Sequence, residues 1–228
     1  MRARWPLVAL AVTAAVLLAG LGVWQVERRA WKLALIARVE ARLAAPPVAA
    51  PGTASADDAY TRVRVTGRWV PCPPVYVQAV TDLGPGFWIV APLATGRATI
   101  LVNRGFVPGG MRVPAATGPA AVTGLLRVSE PGGAFLRRND PAADRWFSRD
   151  VAAIAAARRL GAVAPYFIDA DARTSPAWPR GGLTVVRFRN SHLVYALTWF
   201  ALSAMTAWFA WRLARMGRLA RMERVTRG

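Results

Sequence analysis

Two long apolar runs stand at opposite ends of the chain: neither Trp5 to Val23 nor Leu193 to Trp211 contains a charged residue. At 1.5 Å per residue each run covers roughly 28 Å, about the thickness of a bilayer core. Both predict membrane-spanning helices, over 5–23 and 193–211. Beyond the first, Val26 to Leu43 keeps Leu33, Ile36, Val39 and Leu43 at helical spacing, so the helix is expected to continue until Pro46-Pro47. The period then changes. Tyr60 to Val70 sets Val63, Val65 and Trp69 against Arg62, Arg64 and Arg68, the alternation of a strand with one wet face. Val75 to Val80 predicts a second strand and Ala121 to Val128 a fifth. Between them, Phe87 to Leu93 and Ala98 to Arg104 predict a hairpin across Ala94-Thr95-Gly96-Arg97. Ser148 is placed as the N-cap of a helix running to about Leu160, with Asp150 favourable in its first turn and Gly161 as its stop. Tyr166 to Ile168 and Leu183 to Arg189 return to strand, the last leading into the second apolar run. The fold class expected is an α+β membrane protein. Two transmembrane helices flank a mainly antiparallel β domain, a sheet or small barrel with one helix, spanning 24–192.

Charge adds topology to this outline. The formal net charge is +18, yet no nucleic-acid motif and no cluster of basic residues interleaved with aromatics is present, so nucleic acid is not an expected partner. Arg2 and Arg4 precede the first run, in segment 1–4. Arg212, Arg215, Arg218, Arg221, Arg224 and Arg227 follow the second, in the basic tail 212–228. The positive-inside rule therefore places both termini in the cytoplasm and the β domain across the membrane. Arg28, Arg29, Lys32, Arg38 and Arg42 count against this, but long domains translocate largely regardless of charge. The tail also suits contact with the anionic lipid of the bilayer. Gly20 and Gly22 offer small residues for signal cleavage, but the apolar run exceeds a usual signal core and Trp24-Gln25 follows at once, which favours an uncleaved anchor. The few residues before Trp5 leave no room for an import sequence, so a bacterial inner membrane, with the domain periplasmic, is the expected location.

Candidate chemistry narrows to one side chain. The single cysteine, Cys72 in Pro71-Cys72-Pro73-Pro74, has no partner for an internal disulfide or a paired-thiol metal site and reads as an inert thiol in a stiff turn. With one histidine and no glycine-rich phosphate loop, nucleophile–base pairs and nucleotide sites lack their parts, and an enzyme is not expected. Asn139-Asp140-Pro141 with Asp144, and Asp169 with Asp171, read as turn chemistry. The only histidine, His192, stands at the entrance to the second apolar run. A neutral imidazole is a good axial ligand for haem iron. On a helix, His192, Tyr195, Trp199, Ser203 and Thr206 share a face that suits a flat apolar macrocycle. The same stripe equally suits packing on Ala11, Ala15 and Ala19 of the first run, and from these residues alone cofactor ligand and interfacial anchor both remain open.

Motifs spread along the whole length carry a resemblance. They are Gly22-Val23-Trp24-Gln25 with Arg28 and Lys32, Val65-Thr66-Gly67-Arg68-Trp69, and Ile100-Leu101-Val102-Asn103-Arg104-Gly105-Phe106-Val107-Pro108. Asn139-Asp140-Pro141, Trp146, Ser148-Arg149-Asp150, Pro165-Tyr166-Phe167-Ile168-Asp169 and Asn190-Ser191-His192-Leu193 continue the series. Together they resemble the surfeit locus protein family, the cytochrome c oxidase assembly factors of bacteria and mitochondria. The resemblance implies a two-span protein whose domain faces the periplasm or intermembrane space and which helps deliver haem a to subunit I, the catalytic subunit of the oxidase. It implies His192 as an iron ligand; the other cofactor-binding candidates are Trp24 and Gln25 of the first motif and Tyr195 and Trp199 of the helix face that His192 heads. A cofactor-free scaffold that holds an oxidase subunit or a haem A synthase during assembly is the alternative it leaves.

Overall fold

The computed structural model describes residues 4–134, 136–172, 177–184, 188 and 190–225. Two units divide the chain: the terminal segments 1–38 and 187–228, and the segment 39–186. In the first, helix α1 (Arg4–Ala44) runs unbroken through both the apolar run and the charged continuation expected after it. Helix α3 spans His192–Val225, so the basic tail continues the helix. Both helices are long and apolar enough to cross a membrane. Their outer faces expose large apolar side chains, among them Leu10, Val16 and Leu17 on α1 and Leu197, Met205 and Trp208 on α3.

The second unit is a barrel-like sheet. Its strands are β1 (Val48–Ala49), β2 (Arg62–Trp69), β3 (Val75–Thr81), β4 (Gly84–Ala94), β5 (Thr99–Pro108) and β6 (Pro119–Val128), then β7 (Gly133–Ala134), β8 (Arg137–Arg138) and β9 (Val163–Ala170). The main sheet has the order β1-β2-β6-β9-β5-β4-β3, and a further pairing of β2 with β4 closes β2, β6, β9, β5 and β4 into a ring. That closure is short: Arg68 pairs with Ala94 and Trp69 with Leu93. β7 and β8 form a separate hairpin. The pairings are antiparallel except β1 with β2 and β5 with β9.

Strand periodicity sorts the apolar residues into two cores. Val65 of β2, Leu93 of β4, Ile100 and Val102 of β5, and Tyr166 and Ile168 of β9 fill one cluster. The intervening Val90, Leu101 and Phe167 belong to the other, which Trp146 and the helix α2 (Val151–Ala157) complete with Val151 and Ile154. Strands buried on both faces read as continuous apolar runs rather than alternating ones, which is why β5 and β9 carry so little polar punctuation.

Several sequence expectations change here. The N-cap of α2 is Asp150, whose side chain accepts from the Ala153 backbone N–H, while the Ser148 hydroxyl donates to the Glu130 carbonyl. The helix stops at Ala157 rather than Leu160, because Arg159 adopts a left-handed conformation (φ 51°) that ends helical propagation. Leu183 and Thr184 do not form the start of a last strand. Gly182 donates to the Ala170 carbonyl and Thr184 donates its hydroxyl to Asp169, so this part of the chain is tied to the end of β9 instead of extending alongside it. Residues 185–187 and 189 of that expected strand lie outside the described residues.

Asp169 is the largest departure. It is not a turn residue but a buried carboxylate within β9, 3% exposed. Asn103 on β5 donates to it at 2.8 Å, Arg127 on β6 at 2.9 Å, Arg149 at 3.1 Å and Thr184 at 3.0 Å. Arg149 also grips Glu130 through two nitrogens at 2.7 and 3.0 Å, and its guanidinium lies 4.7 Å from the Phe167 ring centre. Burial works against the Arg149 charge, but Asp169 and Glu130 outweigh it and hold the side chain above the ordinary arginine range. Asp140 behaves as expected of a turn: it accepts from the Ala143 backbone and pairs with Arg145.

Replacing Asp169 by alanine leaves two half-buried guanidiniums, Arg127 and Arg149, to share Glu130 alone and should destabilise the barrel by about 3 kcal/mol in denaturant melts followed by tryptophan fluorescence. Arg62→Ala, which removes only the half-exposed pair with Asp171, should cost no more than about 1 kcal/mol in the same assay. Equal losses would contradict the central place of Asp169. A second expectation concerns Cys72, whose thiol is pushed up by burial, with Arg158 opposing. A raised thiol pKa means less thiolate at any given mildly alkaline pH, so iodoacetamide should modify Cys72 more slowly in the native protein than in the unfolded chain. Equal rates in mass-spectrometric time courses would refute this.

Candidate functional site

The pairing of the two long helices follows a period that neither helix displays by itself. The least exposed positions of α1 include Val8, Ala11, Ala15, Leu18, Gly22, Gln25, Arg29 and Lys32, which alternate spacings of three and four. On α3 they include His192, Ala196, Trp199, Ser203, Thr206, Ala210 and Leu213, again at four and three. A repeat of 3.5 residues is the seam of a left-handed helix pair. Of the small-residue face expected through Ala11, Ala15 and Ala19, the first two lie buried on the seam and Ala19 is half-buried at its side, while the seam itself continues through Leu18 and Gly22.

Contacts along the seam run in opposite directions on the two helices. The Ser203 hydroxyl donates to the Ala15 carbonyl at 2.8 Å, Phe200 lies against Gly22, and His192 meets Gln25. A Cβ at Gly22 would stand 2.5 Å from Cε1 of Phe200, so this ring can lie on the α1 backbone only because residue 22 has no side chain. Thr206 returns its hydroxyl to the Leu202 carbonyl of its own helix. Small residues let the backbones approach, while the large apolar side chains point outward, the reverse of a water-soluble helix pair.

At one end of this seam Nδ1 of His192 lies 2.7 Å from Oε1 of Gln25. Gln25 is buried and His192 half-buried. Of the residues expected at the site, the structure brings Gln25 directly to His192 and puts Trp199, two turns further along α3, on the same seam. Trp24 and Tyr195 point elsewhere, 53% and 55% exposed. Tyr195 was expected on the shared face, but Ala196 holds that place, 2% exposed. A 100° wheel puts Ala196 about 40° from His192 and Tyr195 about 60° away, so ring chemistry rather than angle favours Tyr195, and the 3.5 repeat common to both helices picks Ala196 and Gly22. Beyond Gln25, Arg28 lies 4.1 Å from the Trp31 ring centre, and the Lys32 ammonium 5.2 Å from that of Phe188. Among the described residues no group of three or more His, Cys, Asp or Glu side chains is placed to hold a metal ion, so ligation here would rest on a lone imidazole.

The chain has relatives along nearly all of this framework. Residues 12–204 match the sequence pattern of the SURF1 family, from within α1 through the barrel to the middle of α3. Surfeit locus protein 1 of Homo sapiens is 36% identical over 230 residues, covering 89% of this chain and 74% of the relative. The protein of the same name from Mus musculus is 35% identical over 213 residues, covering 82% of this chain and 69% of the relative. A SURF1-like protein of Monosiga brevicollis is 36% identical over 211 residues, covering 82% and 79% of the two chains. With this breadth of match, laid over two long apolar helices and the β domain between them in sequence, the chain belongs to the SURF1 family.

Proposed function

We propose that this protein is a cytochrome c oxidase assembly factor. In this reading α1 and α3 cross a bacterial inner membrane, the barrel is periplasmic, and haem a is received at His192 near the outer surface and passed to subunit I. The observation that carries it is the place of the chain's single histidine, at the head of a long apolar helix and on the seam, with one ring nitrogen engaged by Gln25. Haem a is cargo here, and it supplies an iron that an imidazole nitrogen ligates axially. The residues present fit such a cargo: a nitrogen donor in His192 and a large aromatic face in Trp199 on the same side of the helix. Trp24 and Tyr195, with exposed amphipathic rings, suit the headgroup layer beside it. Binding and transfer would form and break only the coordination bond between the iron and the imidazole, in keeping with a role that is not enzymatic.

The barrel supports a second reading, a cofactor-free scaffold that holds an oxidase subunit or a haem A synthase. Val80 and Leu136 are 86% and 89% exposed. A groove of about 610 Å³ lined by Val80, Pro85, Phe87, Phe147 and Arg137 offers an apolar surface with a cationic edge.

Orientation is tested by reporters. A fusion after Arg215 should report cytoplasm and an insertion near Gly109 periplasm, because arginine counts favour both ends inside; a cytoplasmic signal from Gly109 would overturn the topology. Cargo binding is tested by His192→Ala in protein purified from cells that make haem a. The variant should insert normally, and its haem a spectrum should weaken or shift as the iron loses its nitrogen ligand. An unchanged spectrum at full occupancy would reject ligation by His192, and a wild-type protein free of haem would favour the scaffold.

A further inference from the structure

A histidine can ligate iron through Nε2 only in the tautomer that leaves this nitrogen unprotonated, and the structure contains a group able to choose that tautomer. Gln25 meets His192 through Oε1, an amide oxygen, which accepts hydrogen bonds and cannot donate them. At 2.7 Å from that oxygen, Nδ1 must carry the ring's proton. A neutral imidazole has one N–H, so Nε2, on the far side of the ring, keeps its lone pair. We infer that Gln25 is a positioning residue that holds His192 as the Nδ1–H tautomer and turns the Nε2 lone pair away from α1.

Three features make this arrangement more than a chance surface contact. Gln25 is 9% exposed on the seam, where a carboxamide without a partner is costly and water competes poorly for its oxygen. One turn before Gln25, the Phe200 ring seated on Gly22 fixes the spacing of the helices and so the distance the amide must bridge. His192 is the first residue of α3, and Ala196, one turn on and 2% exposed, keeps the same face against its neighbours and so limits how far the helix can rotate the ring away. In metal sites, a partner on the non-ligating nitrogen orients the ring and raises the basicity of the ligating one. Gln25 would do this for His192 before any cargo arrives, so that the ring need not exchange its proton or turn over when iron approaches.

The inference rests on the cargo reading only for its purpose; the tautomer itself is measurable without haem. Because His192 is the chain's only histidine, protein labelled with 15N-histidine and carrying no polyhistidine tag gives the two nitrogen signals of one ring. In haem-free protein in lipid nanodiscs, the neutral ring should show a protonated Nδ1 and an unprotonated Nε2. Gln25→Leu removes the acceptor and should release the ring to a mixture in which Nε2–H predominates. Gln25→Glu keeps an acceptor of similar shape and should retain the Nδ1–H form. With haem a, Gln25→Leu should bind roughly tenfold or more weakly, the usual effect of removing a partner behind a ligand. Gln25→Glu should retain the haem with a more negative midpoint potential. A wild-type ring protonated at Nε2, or a Gln25→Leu ring unchanged from wild type, would overturn the inference. Loss of the cargo reading looks different: the wild-type tautomer would be as stated and depend on Gln25, while His192→Ala left the haem a spectrum untouched.

Discussion

Asp169 brings a negative charge into a sheet that is apolar on both faces, and that charge has to be answered by groups from several neighbouring segments. Asn103 answers from β5, Arg127 from β6, Arg149 from the approach to α2 and Thr184 from the segment after β9. Each donor is in reach only when β9 lies between β5 and β6 in the observed register, with Asp169 opposite Asn103 on one side and Leu125 on the other. A slip by one residue would turn the carboxylate to the opposite face, among Tyr166, Ile168 and their neighbours in the other core. Apolar contacts supply most of the stabilisation of such a sheet, but they discriminate weakly between registers. The buried charge discriminates strongly.

The helical pair meets the same problem, and on the proposed function it does so in lipid rather than in water. Its outward side chains are as apolar as lipid, so in a bilayer burying apolar surface would give the helices little reason to associate, and close backbone approach at Ala15 and Gly22 would take over that role. Small residues alone would allow several registers. Gln25 with His192, and Ser203 with the Ala15 carbonyl, are polar contacts that a shifted register would leave unmade. A pair that could serve as a ligand site is thus also part of what aligns the helices.

How much of this was legible in the sequence follows from which physical signal each feature leaves. β2 is read almost to the residue, because its wet face is marked by Arg62, Arg64 and Arg68 against Val63, Val65 and Trp69. The hairpin β4–β5 is found at its turn, but its strands are longer than expected. β9 is seen only at Tyr166 to Ile168, since burial on both faces erases the alternation that would mark its ends. β1, β7 and β8, of two residues each, are too short to leave a period. Asp169 is misread because local composition says turn, and only the distant Arg127 and Arg149 make a buried carboxylate tolerable. His192 and Gln25 were singled out by chemistry and by motif respectively. Their contact depends on the 3.5 repeat shared by two helices over a hundred residues apart, which is a tertiary property.

The order of strands in the ring carries a consequence for how the chain must fold. β9 lies between β5 and β6, yet it follows both in sequence, with the β7–β8 hairpin and α2 synthesised in between. During N-to-C synthesis the earlier strands therefore form neighbouring hairpins first, while the edges of β5 and β6 that will receive β9 stand unpaired. Those edges are templates for pairing with other chains until the last strand arrives. Non-local pairing of this kind is slow, since the intervening loop must close before any contact rewards it. A nascent chain arrested before residue 163 would carry two open apolar edges and an Arg127 and Arg149 that lack Asp169, a form that chaperones and proteases would meet as a misfolded protein.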